Sequence, residues 1–386
     1  MADAPRQGLR FTHLRLENWR NFTQVDVDLQ RRAFLVGPNA AGKSNLLDAF
    51  RFLHDLVSVG GGFREAVETR QGGVSSIRSL AARRYPDIAV RVSLGTDDNH
   101  DVWRYELTFS QDNLRRPTIK TETVLRGEKE LLRRPDRSDQ RDPERLTQTY
   151  LEQVNVNREY RQVAEFFASL RYLHIVPQLV REPDRSVGRR DDPFGGDFLE
   201  QVARTPVRTQ TSRLRRIADG LRVAVPQLQE LELRRDDRGT PHLRVRYDHW
   251  RLRGAWQSER ELSDGTLRLL GLLWAVLDGS GPLLLEEPEL SLHPEVVRYL
   301  PQMFVRIQRR TGRQILVSTH SPELLRDEGI GLNEVLLLLP GGEGTKVRVA
   351  TELEEVPALL SGGVSLGEAV LPNTRPADVE QLALFE

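Results

Sequence analysis

The sequence predicts an α/β fold with a split parallel sheet, an N-terminal antiparallel β lobe and an inserted mixed α/β middle region. Three observations predict it. A glycine-rich stretch at residues 37–44 lies between the apolar run 33–36 and an amphipathic pattern over 45–56, in the order strand, loop, helix. Several segments between residues 9 and 125 alternate apolar and polar side chains, the period of half-buried antiparallel strands. From Glu261 onward long apolar runs alternate with helical patterns, which is how a parallel sheet covered on both faces reads.

Taken in order, residues 9–19 and 22–29 read as paired strands linked at Trp19-Arg20-Asn21, and they deliver the chain into the glycine-rich loop. Residues 57–73 read as a mobile glycine-rich loop, and 88–94, 102–109 and 119–125 as further antiparallel strands. Residues 131–145 carry charges of both signs and two prolines, the composition of a solvated loop. A helix is predicted over 146–170, a short strand over 172–176 and a loop over 178–196. A helix over 211–221 and strands at 228–233, 243–247 and 252–256 follow. The expected divisions are 1–130 and 258–350 for the two parts of one head, 131–257 for the insertion and 351–386 for a tail.

Composition narrows the function classes. Lys+Arg and Asp+Glu both total 56, so any binding of nucleic acid must come from local patches rather than from the global field. The absence of cysteine excludes disulfides, thiolate metal sites and a cysteine nucleophile. No run approaches the roughly 18 apolar residues of a membrane span, and the first eight residues lack a basic-then-apolar secretory pattern. A soluble, cytoplasmic protein without membrane contact is expected.

The stretch Gly37-Pro38-Asn39-Ala40-Ala41-Gly42-Lys43-Ser44 fits the phosphate-binding pattern G-x-x-x-x-G-K-[ST]. Small residues let successive backbone N–H groups turn inward around an anion, and the following helix adds its dipole. Lys43 would reach the outer phosphates and Ser44 would hold Mg²⁺, so the residue types match a nucleoside triphosphate with its metal. Only four lysines occur in this arginine-rich chain, so one at this position is informative.

Near the other end, an apolar strand over 282–285 runs into Glu286-Glu287-Pro288-Glu289. Glu286 would complete the Mg²⁺ shell and Glu287 would act as general base on the attacking water, while the alternative is that these carboxylates cap the next helix. About twenty residues earlier, Leu262-Ser263-Asp264-Gly265-Thr266 opens a helix running to Leu277. Ser263 and Gly265 there form a second anion site, which cannot easily serve the same phosphates. After a strand at 314–317 comes Ser318-Thr319-His320-Ser321.

This order resembles that of the ATP-binding-cassette (ABC) ATPases, with His320 in the place of their histidine switch. Within that class the chain resembles the RecF, SMC and overcoming-lysogenisation-defect group of soluble ATPases. Leu14 to Phe22, with Arg20 and Asn21, is similar to their entry segment, Gly42-Lys43-Ser44-Asn45 to their phosphate loop, and Glu286 to Glu289 with His293-Pro294 to their second motif. The resemblance covers about the first 60 residues and 261–349, and it implies a P-loop NTPase head of ABC type. It departs in its Ser-Asp-Gly-Thr signature, where transporters usually have Ser-Gly-Gly-Gln, and in Glu286, where many relatives have aspartate. No long coiled coil, zinc hook or fused Toprim nuclease is expected.

The resemblance further implies ATP hydrolysis, a homodimer with ATP at its interface, and a metal- and water-contacting glutamine, for which Gln178 is chosen with Gln71 as its rival, the alternative being a surface glutamine without a role. It makes DNA the expected partner, in repair, recombination or phage defence. Arg204, Arg208, Arg213, Arg215, Arg216 and Arg222, with Arg181, Arg185, Arg189 and Arg190 upstream, either neutralise its phosphates or form a solvated face. The C-terminal Gln381, Leu382, Leu384 and Phe385 are similar to the peptide by which replication and repair proteins dock on the sliding clamp; the alternative is docking on its own head. Two rival functions are a nucleotide-gated scaffold controlling a separate Toprim-type nuclease with little turnover, and an ABC transporter's ATP-binding subunit.

Overall fold

A computed structural model describes residues 8–82, 86–186, 192, 194–248, 255–375 and 380–381. It divides into two compact units, one of Met1–Leu170, Ser280–Leu284 and Pro301–Glu386, the other of Arg171–Gly279 and Leu285–Leu300.

The chain enters through β1 (Arg10–Trp19), β2 (Phe22–Asp28) and β3 (Arg32–Val36), passes the glycine-rich loop and forms the helix Lys43–Val57. Strands β4 (Ile88–Gly95), β5 (Trp103–Gln111), β6 (Pro117–Arg126) and β7 (Lys129–Arg134) follow. Next come β8 (Arg171–Leu173), β9 (Leu228–Arg235), β10 (Pro241–Tyr247) and β11 (Ala255–Ser258). The chain closes with β12 (Leu283–Glu286), β13 (Ile315–Thr319), β14 (Val335–Gly341) and β15 (Gly344–Val349).

In the first unit, strands β2-β1-β4-β5-β6-β7 make the antiparallel lobe. Residues 13–17 of β1 alternate: Leu14 and Leu16 are fully buried, while Arg15 and Glu17 reach solvent and bond each other. The second sheet of this unit runs β15-β14-β3-β13, with β3 parallel to both β13 and β14 and β15 antiparallel to β14 at the edge. Residues from opposite ends of the sequence therefore pair directly, Val36 with Thr319 and with Leu337. Leu283 N–H donates to Gln314 O at 2.9 Å, which sets the start of β12 beside β13. The helix Lys43–Val57 buries Leu46, Leu47, Phe50, Leu53 and Leu56 at helical spacing. Phe50 meets Phe11 of β1 edge-on at 4.8 Å, and Phe52 meets Trp19 at 5.3 Å. Each such fully buried side chain contributes about 1.5–3 kcal/mol, enough to fix the helix that follows the loop.

In the second unit, β11-β10-β9 form an antiparallel sheet. The helix Val207–Ala224 buries Leu214, Ile217, Ala218 and Leu221, and Gly220 lets it approach Leu273 on the helix Asp264–Leu277. Strand β8 neighbours β12, and its Tyr172 reaches Glu286.

Several local expectations are corrected. The predicted solvated loop at 131–145 contains the end of β7, and Arg134 is fully buried between Glu122 (3.1 Å) and Asp139 (2.8 Å). The same cluster prevents the long helix expected over 146–170. Tyr150 and Leu151 turn their backbone N–H groups onto Glu122, and only Arg161–Ala168 is α-helical. The glycine-rich loop at 57–73 holds a helix, Phe63–Glu68, and ends on Arg70, which is buried against Asp48 and Asp55. The strand expected over 172–176 ends at Leu173, and Gln178 lies in the short helix Pro177–Val180 rather than in a loop. Of the strand expected at 252–256, residues 252–254 lie outside the described residues, as do Arg189, Arg190, Leu382, Leu384 and Phe385. No helix among the described residues is long and apolar enough to cross a membrane.

Candidate nucleotide site

The glycine-rich loop leaves β3 after Val36 and returns as the first turn of Lys43–Val57. Gly42 has φ 97° and Ala40 φ 62°, so the loop passes twice through the left-handed region, which glycine adopts freely. Gly37 lies so close to β14 that a β-carbon there would be 2.9 Å from Leu338 O. Lys43 is buried, and its Nζ donates to Gly37 O (2.9 Å) and Pro38 O (3.1 Å), inside the loop it closes. Ser44 is exposed at the helix start. An open helix N-terminus, an ammonium held within a small-residue loop and a hydroxyl beside it fit a phosphate and its metal.

Arg20 and Asn21 brace this loop from outside. Asn21 Nδ2 donates to Ala41 O (2.9 Å) and to Thr345 Oγ1 (2.7 Å), and Asn21 Oδ1 accepts from Asn45 Nδ2 (2.8 Å). Trp19 Nε1 donates to Asn45 O at 2.9 Å, and Arg20 pairs with Asp48 at 3.0 Å. The entry segment thus holds the loop and its helix by side-chain hydrogen bonds, a role the sequence does not reveal. In the same unit Thr319 pairs with Val36, so His320 leaves β13 at the edge where Gly37 leaves β3. The structure brings His320 and the loop to one end of the sheet, and Gln71 is exposed in a turn of this unit.

In the second unit β12 ends at Glu286, and Glu287 turns with φ 42°. The Tyr172 hydroxyl of β8 donates to Glu286 Oε2. Glu289 is buried. Arg268 of the helix Asp264–Leu277 is half-buried, and its burial lowers its pKa, against the opposing charges of Asp264, Glu287 and Glu289. His293 Nδ1 accepts from Glu295 N–H at 3.2 Å, so His293, not the acidic pair, caps the following helix. Ser263 caps Asp264–Leu277 by accepting from Thr266 N–H at 3.2 Å, and a β-carbon on Gly265 would lie 2.4 Å from Ser291 O. Gln178 is exposed.

The arginine cluster divides. Arg213 pairs with Asp278, Arg204 with Glu200, Arg222 with Asp219, Arg185 with Glu182 and Arg181 with Asp264. Arg208, Arg215 and Arg216 are exposed on the helix Val207–Ala224 without an acidic partner among the described residues.

A family model described as "AAA domain, putative AbiEii toxin, Type IV TA system" matches residues 32–326, from β3 past His320. The chain belongs to this family. No curated protein matches the sequence significantly. The fold is similar to that of an Smc head solved with the C-winged helix domain of ScpA, at 12% identity and TM-score 0.53, covering 88% of this chain and 96% of that one. It is also similar to an Smc head with an extended coiled coil, solved with the C-terminal domain of ScpA derived from Pyrococcus furiosus, at 11% identity and TM-score 0.54 over 92% and 99%. At these identities the likeness carries the fold alone: this AAA-domain chain has the architecture of Smc head domains.

Proposed function

We propose that the chain binds ATP with Mg²⁺ at residues 37–44, hydrolyses it, and couples that cycle to closure of two copies around the nucleotide. The supporting observation is the braced loop, with Lys43 held inside it and His320 leaving the sheet at the same edge. Gly37, Pro38, Asn39, Ala40, Ala41 and Gly42 would surround the phosphates with backbone N–H groups, and Lys43 would donate to their outer oxygens. Ser44 and Glu286, with Gln178, would hold Mg²⁺, which neutralises charge developing on the phosphates. Glu287 would take the proton of the attacking water, and His320 would contact the terminal phosphate. Ser263 and Gly265 would be offered to the nucleotide of the second copy.

The proposed setting is cytoplasmic and acts on DNA with a separate effector, and the toxin–antitoxin wording of the family's description supports defence over repair or recombination. Exposed Arg208, Arg215 and Arg216 support a phosphate-binding face. The test is ATP turnover and oligomeric state. Lys43→Ala should lose nucleotide affinity, and Glu287→Gln should keep it, stop turnover and accumulate dimers. Normal turnover by Glu287→Gln would overturn the assignment of the base, and negligible turnover by the unaltered chain with DNA and effector present would favour the nuclease-controlling scaffold.

A further inference from the structure

The signature Ser263-Asp264-Gly265-Thr266 carries an acidic residue where a small one would suffice, and the structure gives that residue a specific partner. Arg181 follows directly on the short helix Pro177–Val180 that bears Gln178. Its Nη2 donates to Asp264 Oδ1 at 2.6 Å and to Leu262 O at 2.7 Å. One guanidinium therefore holds the carbonyl before Ser263 and the carboxylate after it. The pair is half-shielded, with the two side chains 23% and 39% exposed, so its attraction is only partly screened. On the other side of the loop, Gly265 leaves no room for a β-carbon against Ser291 O. Between these two constraints Ser263 is exposed and its backbone is fixed.

We propose that Arg181 is a positioning residue for the signature loop. By pinning Leu262 O and Asp264 it holds Ser263 and Gly265 in the pose offered to the second copy's nucleotide, and it ties that pose to the helix of Gln178. The inference rests on the dimeric reading given above. It also accounts for Asp264: a glycine there would give the guanidinium no carboxylate to hold.

The test uses the full chain in the Glu287→Gln background with Mg-ATP. The dimer dissociation constant is measured by sedimentation, and the nucleotide affinity of the monomer by titration with a fluorescent ATP analogue at low protein concentration. Arg181→Ala should weaken the dimer about tenfold or more, the scale of hydrogen bonds to a charged group, with monomer nucleotide affinity unchanged. Asp264→Asn should weaken it less, because the bond to Leu262 O remains, and Arg181→Lys should recover part of the loss. A general loss of structure would not produce that separation or that rescue. Equal dimer affinity in Arg181→Ala and its parent overturns the inference and leaves the proposed function standing, whereas a parent that forms no dimer overturns both. Should Arg181→Ala fail to fold, as judged by its melting, Asp264→Asn decides, and unchanged dimerisation there overturns the inference.

Discussion

Asn21 and Gly42 approach so closely that a β-carbon on Gly42 would lie 2.2 Å from Asn21 Nδ2. Gly42 also has φ 97°, so Gly42→Ala meets strain and collision together. The expected result is a fall of at least about tenfold in nucleotide affinity, since 1.4 kcal/mol suffices for that factor. Asn21→Ala removes the bonds to Ala41, Thr345 and Asn45 and should cost about 1–3 kcal/mol, read as a lower unfolding midpoint in urea. An Asn21→Ala protein as stable as its parent would refute the bracing role.

Tyr172 donates to Glu286, the carboxylate proposed to meet the metal. Tyr172→Phe should raise the Mg²⁺ concentration needed for half-maximal turnover several-fold and leave metal-free nucleotide affinity unchanged. An identical Mg²⁺ dependence in the variant would show that the hydroxyl does not orient Glu286.

Arg134 stands over the Tyr150 ring at 3.8 Å and pairs with both Glu122 and Asp139, all three charges fully buried. Burial pushes the Glu122 carboxyl up, in spite of backbone N–H donors and the nearby guanidinium. Removing the guanidinium alone strands two carboxylates, so Arg134→Met should destabilise by about 3–5 kcal/mol in urea unfolding. A loss below about 1 kcal/mol would mean that the cluster relaxes to admit water.

His242 bonds Glu259 at 2.8 Å and faces Asp236 at 3.5 Å. Burial alone would lower its pKa, but the hydrogen bonds and charges of these two carboxylates outweigh it and raise the value. A histidine whose pKa rises on folding stabilises fully below its unfolded value of about 6.5 and loses that contribution as pH rises through the folded one. The melting temperature should therefore decline across neutral to mildly alkaline pH, and His242→Gln should flatten that decline. An unchanged pH profile in the variant would exclude His242 as its source.

If Arg208, Arg215 and Arg216 meet DNA phosphates, replacing all three with alanine should reduce the salt slope of binding by about 2–3, at roughly 0.9 per phosphate lost. Replacing Arg213 and Arg222, already paired with Asp278 and Asp219, should leave the slope nearly unchanged.

The phosphate loop was legible because its signal is local: strand, small residues and helix follow one another within about 25 positions, and no distant contact overrides the period of either element here. The split sheet was legible for the same reason, as apolar runs at both ends needed a common partner. What escaped was decided at a distance. Tyr172 meets Glu286 across 114 positions and Arg181 meets Asp264 across 83, and no spacing rule reaches that far. The helix expected over 146–170 failed because Glu122, in a strand far upstream, takes the N–H groups of Tyr150 and Leu151 that a helix would have used.

Asn21 reaches Thr345 over 324 positions, and β3 finds its parallel neighbours only in β13 and β14. During synthesis, then, the loop that would grasp a nucleotide emerges early with its brace from Trp19, Arg20 and Asn21, but β3 lacks both parallel neighbours until β13 and β14 have been made. A fragment ending before β13 should be unable to hold nucleotide, so premature termination would release an inert polypeptide rather than an unregulated motor.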